Sequence, residues 1–174
     1  MTRKSIRWWL GISMAMTIVI CAVMNFLLIP AIERSTEGIR CFDMNFAYST
    51  ETARHFLSLL SEQGRRVYLT RQLPLDFLYP VAYSVCFSLL IRATAQRKTK
   101  LVFLPVLLAV LDYGENLCVL RMLTQPSVGD RLIIAASVFT SAKTVMMYVC
   151  FVLIVVLLIR YVIHRRKEKA SIAN

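Results

Sequence analysis

The chain has 174 residues, of which 57% are hydrophobic and 18% charged, and its mean hydropathy is +0.60. A soluble domain of this length would need more polar surface, so the composition excludes an ordinary soluble fold and indicates an integral membrane protein. The formal net charge of +11 would suggest nucleic-acid binding in a soluble protein. We expect no nucleic-acid partner here, because the basic residues follow the distribution that membrane topology requires.

Four apolar segments are long enough to cross ~30 Å of hydrocarbon, which takes about 20 helical residues. They cover approximately residues 9–29, 73–91, 101–123 and 132–159. None shows the alternating pattern of membrane-barrel strands, so the sequence predicts an all-α fold, a single membrane domain built as a four-transmembrane-helix bundle. The first segment follows basic residues as a signal peptide does, but its length and the lack of a clear cleavage site predict an uncleaved anchor.

Orientation follows from the basic residues, because lysine and arginine accumulate in cytoplasmic segments. Three segments carry 12 basic residues against the single acid Glu168: the N-terminus, the turn before residue 101, and the tail 160–174. The long segment 30–72 has nearly balanced charge. The sequence therefore predicts a multi-pass protein of the cell (inner or plasma) membrane, with both termini cytoplasmic and segment 30–72 outside.

This outer loop is too long for a simple connection, so we expect structure within it. Ser49 or Thr50 is suited to cap an interfacial amphipathic helix, and Gly64 is suited to end it. The basic residues that follow, Arg65, Arg66 and Arg71, are candidates for binding lipid phosphates or an anionic substrate. The alternative is that they anchor the chain at the headgroup level.

Every predicted span also carries polar residues in its outer half. The second span has Pro74 in its first turn, a position suited to proline, and then places Asp76, Tyr79 and Tyr83 on one face. The remaining spans contribute Asn25 in the first, Asp112, Glu115 and Asn116 in the third, and Lys143 in the fourth. At ~1.5 Å per helical residue these positions lie between the middle of the bilayer and its outer face.

An ionisable residue in a span costs at least ~2.5 kcal/mol, so these groups are expected to face one another or a wet cavity. Three carboxyls against one lysine leave an excess of negative charge, which a proton, a cation or an outer-loop arginine would have to balance. We take Asp112, Glu115, Asp76 and Lys143 as candidate catalytic residues. The candidate substrate-binding residues are Asn25, Tyr79, Tyr83, Asn116, Arg65, Arg66 and Arg71.

The favoured hypothesis is a protein that binds a lipid or isoprenoid-like molecule, or acts on one by acid/base chemistry. In helix count and intramembrane acids the chain resembles the small four-helix membrane family of sterol isomerases and related sterol-binding receptors, and the resemblance is limited to those two features. Two alternatives stay open: a non-catalytic subunit or assembly protein with a structural ion-pair network, and a small proton- or cation-coupled transporter acting as an oligomer. Whether the protein is an enzyme is left open.

No motif indicates a cofactor or a metal site, and the five cysteines are read as small buried hydrophobes. The expected partners are membrane lipids, a lipid-like ligand, and a second copy or another membrane protein. Serines spaced by four, Ser84 with Ser88 and Ser137 with Ser141, would permit close helix approach.

Overall fold

The structure, a computed structural model, describes the backbone of residues 3–95 and 99–173, and the side chains of these residues except 3, 43 and 168–173. The α-helices in this part of the chain are α1 (Arg3–Val23), α2 (Ile29–Glu33), α3 (Thr50–Leu59), α4 (Glu62–Val67), α5 (Leu73–Thr94), α6 (Leu104–Thr124) and α7 (Asp130–Ala173). Short 3-10 turns cover Arg34–Thr36, Phe42–Met44 and Lys100–Phe103. The described residues form no strand, so the all-α prediction is confirmed for them.

Four helical stretches are long and apolar enough to cross a membrane, as predicted. They run over Lys4–Thr36, Glu62–Thr94, Lys100–Thr124 and Asp130–Lys167. Each is longer than its predicted span, and much of the predicted loop 30–72 is helical. The apolar pattern underestimates helix length because charged residues are compatible with a helix once it has left the hydrocarbon. α7 likewise continues through residues 160–173, where only a tail was predicted.

Consecutive long helices run antiparallel. Hydrogen bonds join α5 to α6 and to the turn before it at three levels. Asn116 donates to the Asp76 carbonyl at 2.7 Å, Tyr83 to Asp112 at 2.9 Å, and Ser88 to the carbonyl of Val102, in the turn Lys100–Phe103, at 2.8 Å. α6 packs against α7, and α1 packs against α5 with α2 beside α4. Both ends of the described chain therefore lie at one end of the bundle, which we call the basic end. Residues 37–61 and 125–129 lie at the other, the loop end.

Helix α3 covers the loop end as an amphipathic helix. The Ser49 side chain accepts a hydrogen bond from the Thr52 amide, which confirms Ser49 as the N-cap. Ala53 and Phe56 are buried in the core cluster together with Ile32 and Ile133. The apolar face predicted for the outer-loop helix is thus the face that α3 buries.

Gly64 does not end this helix, so that prediction is wrong. α3 ends at Leu59, Ser61 caps the short helix α4, and Gly64 is buried within α4. A Cβ atom added to Gly64 would overlap the Ser35 side chain. The glycine permits a close approach between two segments rather than a turn in the backbone.

Two wide π-helical turns, Met24–Leu28 and Tyr68–Gln72, lie next to each other in the bundle. Each is followed directly by a proline in the first turn of the next helix, Pro30 in α2 and Pro74 in α5. A proline inside an α-helix clashes with the carbonyl four residues earlier, and a π turn relieves such a clash. Pro74 lies in the first turn of α5, as predicted, and the π turn before it joins α5 to α4 without a break.

Candidate functional site

Two acidic residues of α6 and one lysine of α7 form an ion-pair cluster inside the bundle. The Lys143 ammonium contacts the Glu115 carboxylate directly, and its Nζ lies 3.4 Å from Asp112 Oδ1. Asp112 and Glu115 are separated by three residues and therefore share one face of α6. The antiparallel register places this face against Lys143. We call these three residues the acid–lysine cluster.

Hydroxyl groups of neighbouring helices complete the cluster. The Tyr83 hydroxyl of α5 donates to Asp112 Oδ2 at 2.9 Å. The Thr140 hydroxyl, one helical turn before Lys143, donates to Glu115 Oε1 at 2.6 Å. Each carboxylate therefore has both a cationic and a hydroxyl partner, which offsets part of the cost of burying charge.

The cluster is nearly closed to its surroundings. Glu115 is 0% exposed and Asp112 6%, while the Lys143 side chain is 16% exposed. Two carboxylates against one ammonium leave an excess of one negative charge if all three are ionised. Such an excess in a low-dielectric site favours a proton or another cation at the same place.

Aromatic side chains of α5 form the neighbouring wall. Tyr79 packs edge-on against Tyr83 with ring centroids 5.1 Å apart, and Tyr83 packs against Phe87 at 5.8 Å. Tyr79 also packs against the cluster that Ile20 of α1 forms with Met24 and Ala82. Through Tyr79, helix α1 reaches the edge of the site.

Asp76 and Asn116 meet in a second polar layer, nearer the loop end. The Asn116 side chain donates to the Asp76 carbonyl, and the Asp76 carboxylate accepts a hydrogen bond from Gln72 Nε2 at 3.2 Å. Asp76, Asn116 and Gln72 are all buried. The structure thus places Asp76 and Asn116 together, in a layer next to the acid–lysine cluster.

Asn25 does not join the polar layers. It is exposed, and its side chain donates to the Cys21 carbonyl of its own helix at 2.9 Å. Its depth along the helix was inferred from the sequence, but depth does not fix rotation about the helix axis. α1 turns Ile20 and Met24 toward α5 instead, which leaves Asn25 on the outside.

The three candidate arginines lie at the loop end and do not converge on one site. Arg65 is half-buried, and its guanidinium donates to the Leu123 carbonyl near the end of α6. Arg66 and Arg71 are exposed. The Arg65 contact satisfies a carbonyl that the helix end leaves without a helical partner.

Gln72 is fully buried and donates to the Asp76 carboxylate, but it is not among the candidate residues predicted from the sequence. Its spacing is a usable signal, because Gln72 lies four residues before Asp76 and so shares a helix face with it. The predicted second span begins at residue 73 and therefore excludes Gln72. Of the serines spaced by four, Ser137 accepts from the Tyr48 amide and Ser141 donates to the Phe46 carbonyl, so this pair holds the loop against α7.

In the described residues no group of three or more histidine, cysteine or acidic side chains is arranged to hold a metal ion. No family model, curated protein or solved structure matches this chain. The chemistry of the site must therefore be argued from its own groups: two carboxyls able to carry a proton, a lysine between them, and two phenols.

Proposed function

We propose that this chain is a multi-pass membrane protein that binds a lipid or isoprenoid-like molecule at the acid–lysine cluster and transfers a proton to or from it. The observation that supports this most is the placement of Asp112, Glu115 and Lys143 in direct contact within helices long enough to span a bilayer. Ionisable groups at such depth are costly, and in membrane proteins they usually mark a working site.

The roles follow from the contacts. Lys143 contacts both carboxylates, and its single positive charge leaves one excess negative charge on Asp112 and Glu115 when all three groups are ionised, so this pair of carboxylates can accept a proton. Tyr83, which donates to Asp112, orients that carboxyl, and the rings of Tyr79 and Tyr83 favour an apolar or cationic group beside it. The polar layer of Asp76 and Asn116 lies toward the loop end, which the charge distribution assigns to the outside.

The proposal is tested by comparing the small molecules that co-purify with the wild type and with Asp112→Asn and Glu115→Gln, using native mass spectrometry. We expect both variants to fold and to lose a bound lipid-like molecule that the wild type retains. Glu62→Gln is the matched control, since Glu62 is an exposed carboxyl at the loop end. Equal retention of the same molecule by folded wild type and both variants would refute the proposal.

A second candidate is a structural ion-pair network in a non-catalytic subunit. It is favoured by one observation: Glu115 is fully buried, with Lys143 and Thr140 as partners. Replacing a buried ion-pair network by apolar residues is often neutral or stabilising. If the triple variant Asp112→Leu, Glu115→Leu, Lys143→Met is stable and keeps the cellular phenotype of the gene, the structural role is correct; if it is stable but loses that phenotype, the site is functional.

A further inference from the structure

A groove of about 810 Å³ lies along the surface of α7 at the loop end of the bundle. Its deeper part is lined by Leu111 of α6 and by Ala142, Val145 and Met146 of α7. Its shallower part is lined by Tyr48, Ser49 and Thr50 of the loop, next to Ser137. From Ile134 to Met146 the groove follows α7 for ~18 Å at 1.5 Å per residue.

The lining changes from polar to apolar along this length. Hydroxyl groups line the loop end of the groove, while only aliphatic and thioether side chains line the deep end. None of its lining residues carries a charge. A lipid in the adjacent leaflet has the same order of groups, with polar oxygens near the surface and an apolar chain pointing to the bilayer centre. The absence of charge makes an ionic or acidic-peptide ligand a poor match.

We infer that this groove binds one acyl chain of a membrane lipid from the leaflet at the loop end. The end of the chain lies beside Leu111 and Met146, and the ester oxygens of the lipid accept hydrogen bonds from hydroxyls at Ser49 and Thr50. The groove is held in shape by the loop, since Ser137 and Ser141 of α7 bind the backbone of Tyr48 and Phe46.

The groove adjoins the acid–lysine cluster without including it. Leu111 precedes Asp112, and Ala142 precedes Lys143, so the two features lie on neighbouring faces of the packed helices α6 and α7. The inference deepens the proposed function, on which it rests for taking a lipid as the ligand. It adds where the lipid binds, how the lipid is oriented, and that a single acyl chain occupies the groove.

The test uses the full-length protein in nanodiscs of phosphatidylcholine with a diazirine at the end of one acyl chain. After illumination, we expect mass spectrometry to find the label concentrated on Leu111 and on residues 142–146. Val138→Trp, which fills the groove, should lower this labelling by about fivefold or more, the effect of ~1 kcal/mol of lost binding. Val152→Trp is the matched control: Val138 and Val152 are 60% and 59% exposed and lie on the same side of α7.

Labelling spread evenly over the exposed face of α7, or equal effects of the two tryptophans, would overturn the inference. So would a dimer that Val138→Trp converts to a monomer, because the groove would then be a contact between two copies. A different result would refute the proposed function alone: Asp112→Asn leaves both the groove labelling and the co-purifying molecule unchanged. Conversely, loss of the molecule in Asp112→Asn together with even labelling would remove the groove inference alone.

Discussion

The two ends of the bundle are built from the same helices but are held together differently. At the loop end, α3 covers a core that includes Ile32, Phe56 and Ile133, and polar side chains bridge three helices. Toward the basic end α7 is mostly exposed, and its buried side chains from residue 150 to residue 167 are Cys150 and Ile154. Of the residues in the most apolar stretch of α7, 11% are buried, against 39% in the stretch that contains α6.

The two ends therefore differ in what holds them: the basic end has few packing contacts, and the polar site is built where the helices pack together. A bilayer satisfies an apolar helix surface without any protein contact, so a helix such as the basic half of α7, which is apolar enough to cross a membrane, would need no packing partner there. Buried carboxylates and a lysine do need partners, and these occur where the helices pack most closely. We therefore expect substitutions at the loop end to affect stability and those at the basic end to have little effect.

The largest expected effect comes from removing the cation of the cluster. Lys143→Met leaves Asp112 and Glu115 buried without a counter-charge, and breaking a buried pair in this way costs about 3–5 kcal/mol. The free energy of unfolding in detergent measures it. Arg160→Met, at an exposed position of the basic half, should change that free energy by less than about 0.5 kcal/mol. Equal losses in the two variants would contradict the comparison.

A matched pair of phenylalanines tests the packing itself. Phe56 is 1% exposed in the core at the loop end, whereas Phe151 is 60% exposed on α7. Phe56→Ala should lower the free energy of unfolding by about 3 kcal/mol, because it leaves a cavity among the residues that α3 covers. Phe151→Ala should leave thermal unfolding in nanodiscs nearly unchanged. A tolerant Phe56 would mean that α3 contributes little to the fold.

Two glycines should respond in opposite directions. A Cβ atom at Gly114 would lie within 2.5–2.8 Å of the Phe139 ring, while one at Gly11 of α1 meets nothing within 4 Å. Gly114→Ala should therefore cost about 1–3 kcal/mol by forcing α6 from α7. Gly11→Ala should cost nothing, and the helix propensity of alanine gives a gain of up to about 1 kcal/mol. Thermal midpoints of the two variants in one detergent provide the measurement.

The smallest effect is expected for the ion pair that joins α3 to the start of α7. Arg54 and Asp130 are 2.7 Å apart, but their side chains are 53% and 63% exposed. Such pairs contribute less than about 1 kcal/mol and weaken with salt. Arg54→Ala should lower the free energy of unfolding slightly at low ionic strength and not at all in 1 M salt. A large, salt-independent loss would show that Arg54 has another role.

The acid–lysine cluster and the number of long helices could both be predicted from the sequence, for different reasons. Apolar length fixes how many helices can cross a bilayer, and the rise per residue places Lys143 at the level of Asp112 and Glu115. The rotation of α1 about its own axis could not be predicted from the sequence, because a helix that packs against a single neighbour can present any of several faces to it. Asn25 was therefore assigned to the site and lies outside it.

Helix ends and loops were harder to predict. Gly64 was interpreted as a helix end because glycine often serves as one, whereas its role depends on the approach of Ser35 from another segment. The predicted start of the second span at residue 73 coincides with the start of α5, but the helical stretch that precedes it from Glu62 was not predicted, because Arg65 and Arg66 interrupt the apolar pattern. The groove depends on the path of residues 46–50 across α7, which is set by hydrogen bonds to Ser137 and Ser141 that no local pattern encodes.

The length of α7 gives the site a mechanical connection to the opposite side of the protein. The helix continues without proline or glycine from Asp130 to Ala173, so Lys143 and the basic residues after Arg160 belong to one stiff rod. Lys143 and Arg165 are separated along it by ~33 Å. A tilt of ~5° about the cluster would shift Arg165 sideways by about 3 Å, given that separation. A change in the angle of α7 at the cluster would therefore reach the basic residues by leverage, with no rearrangement in between.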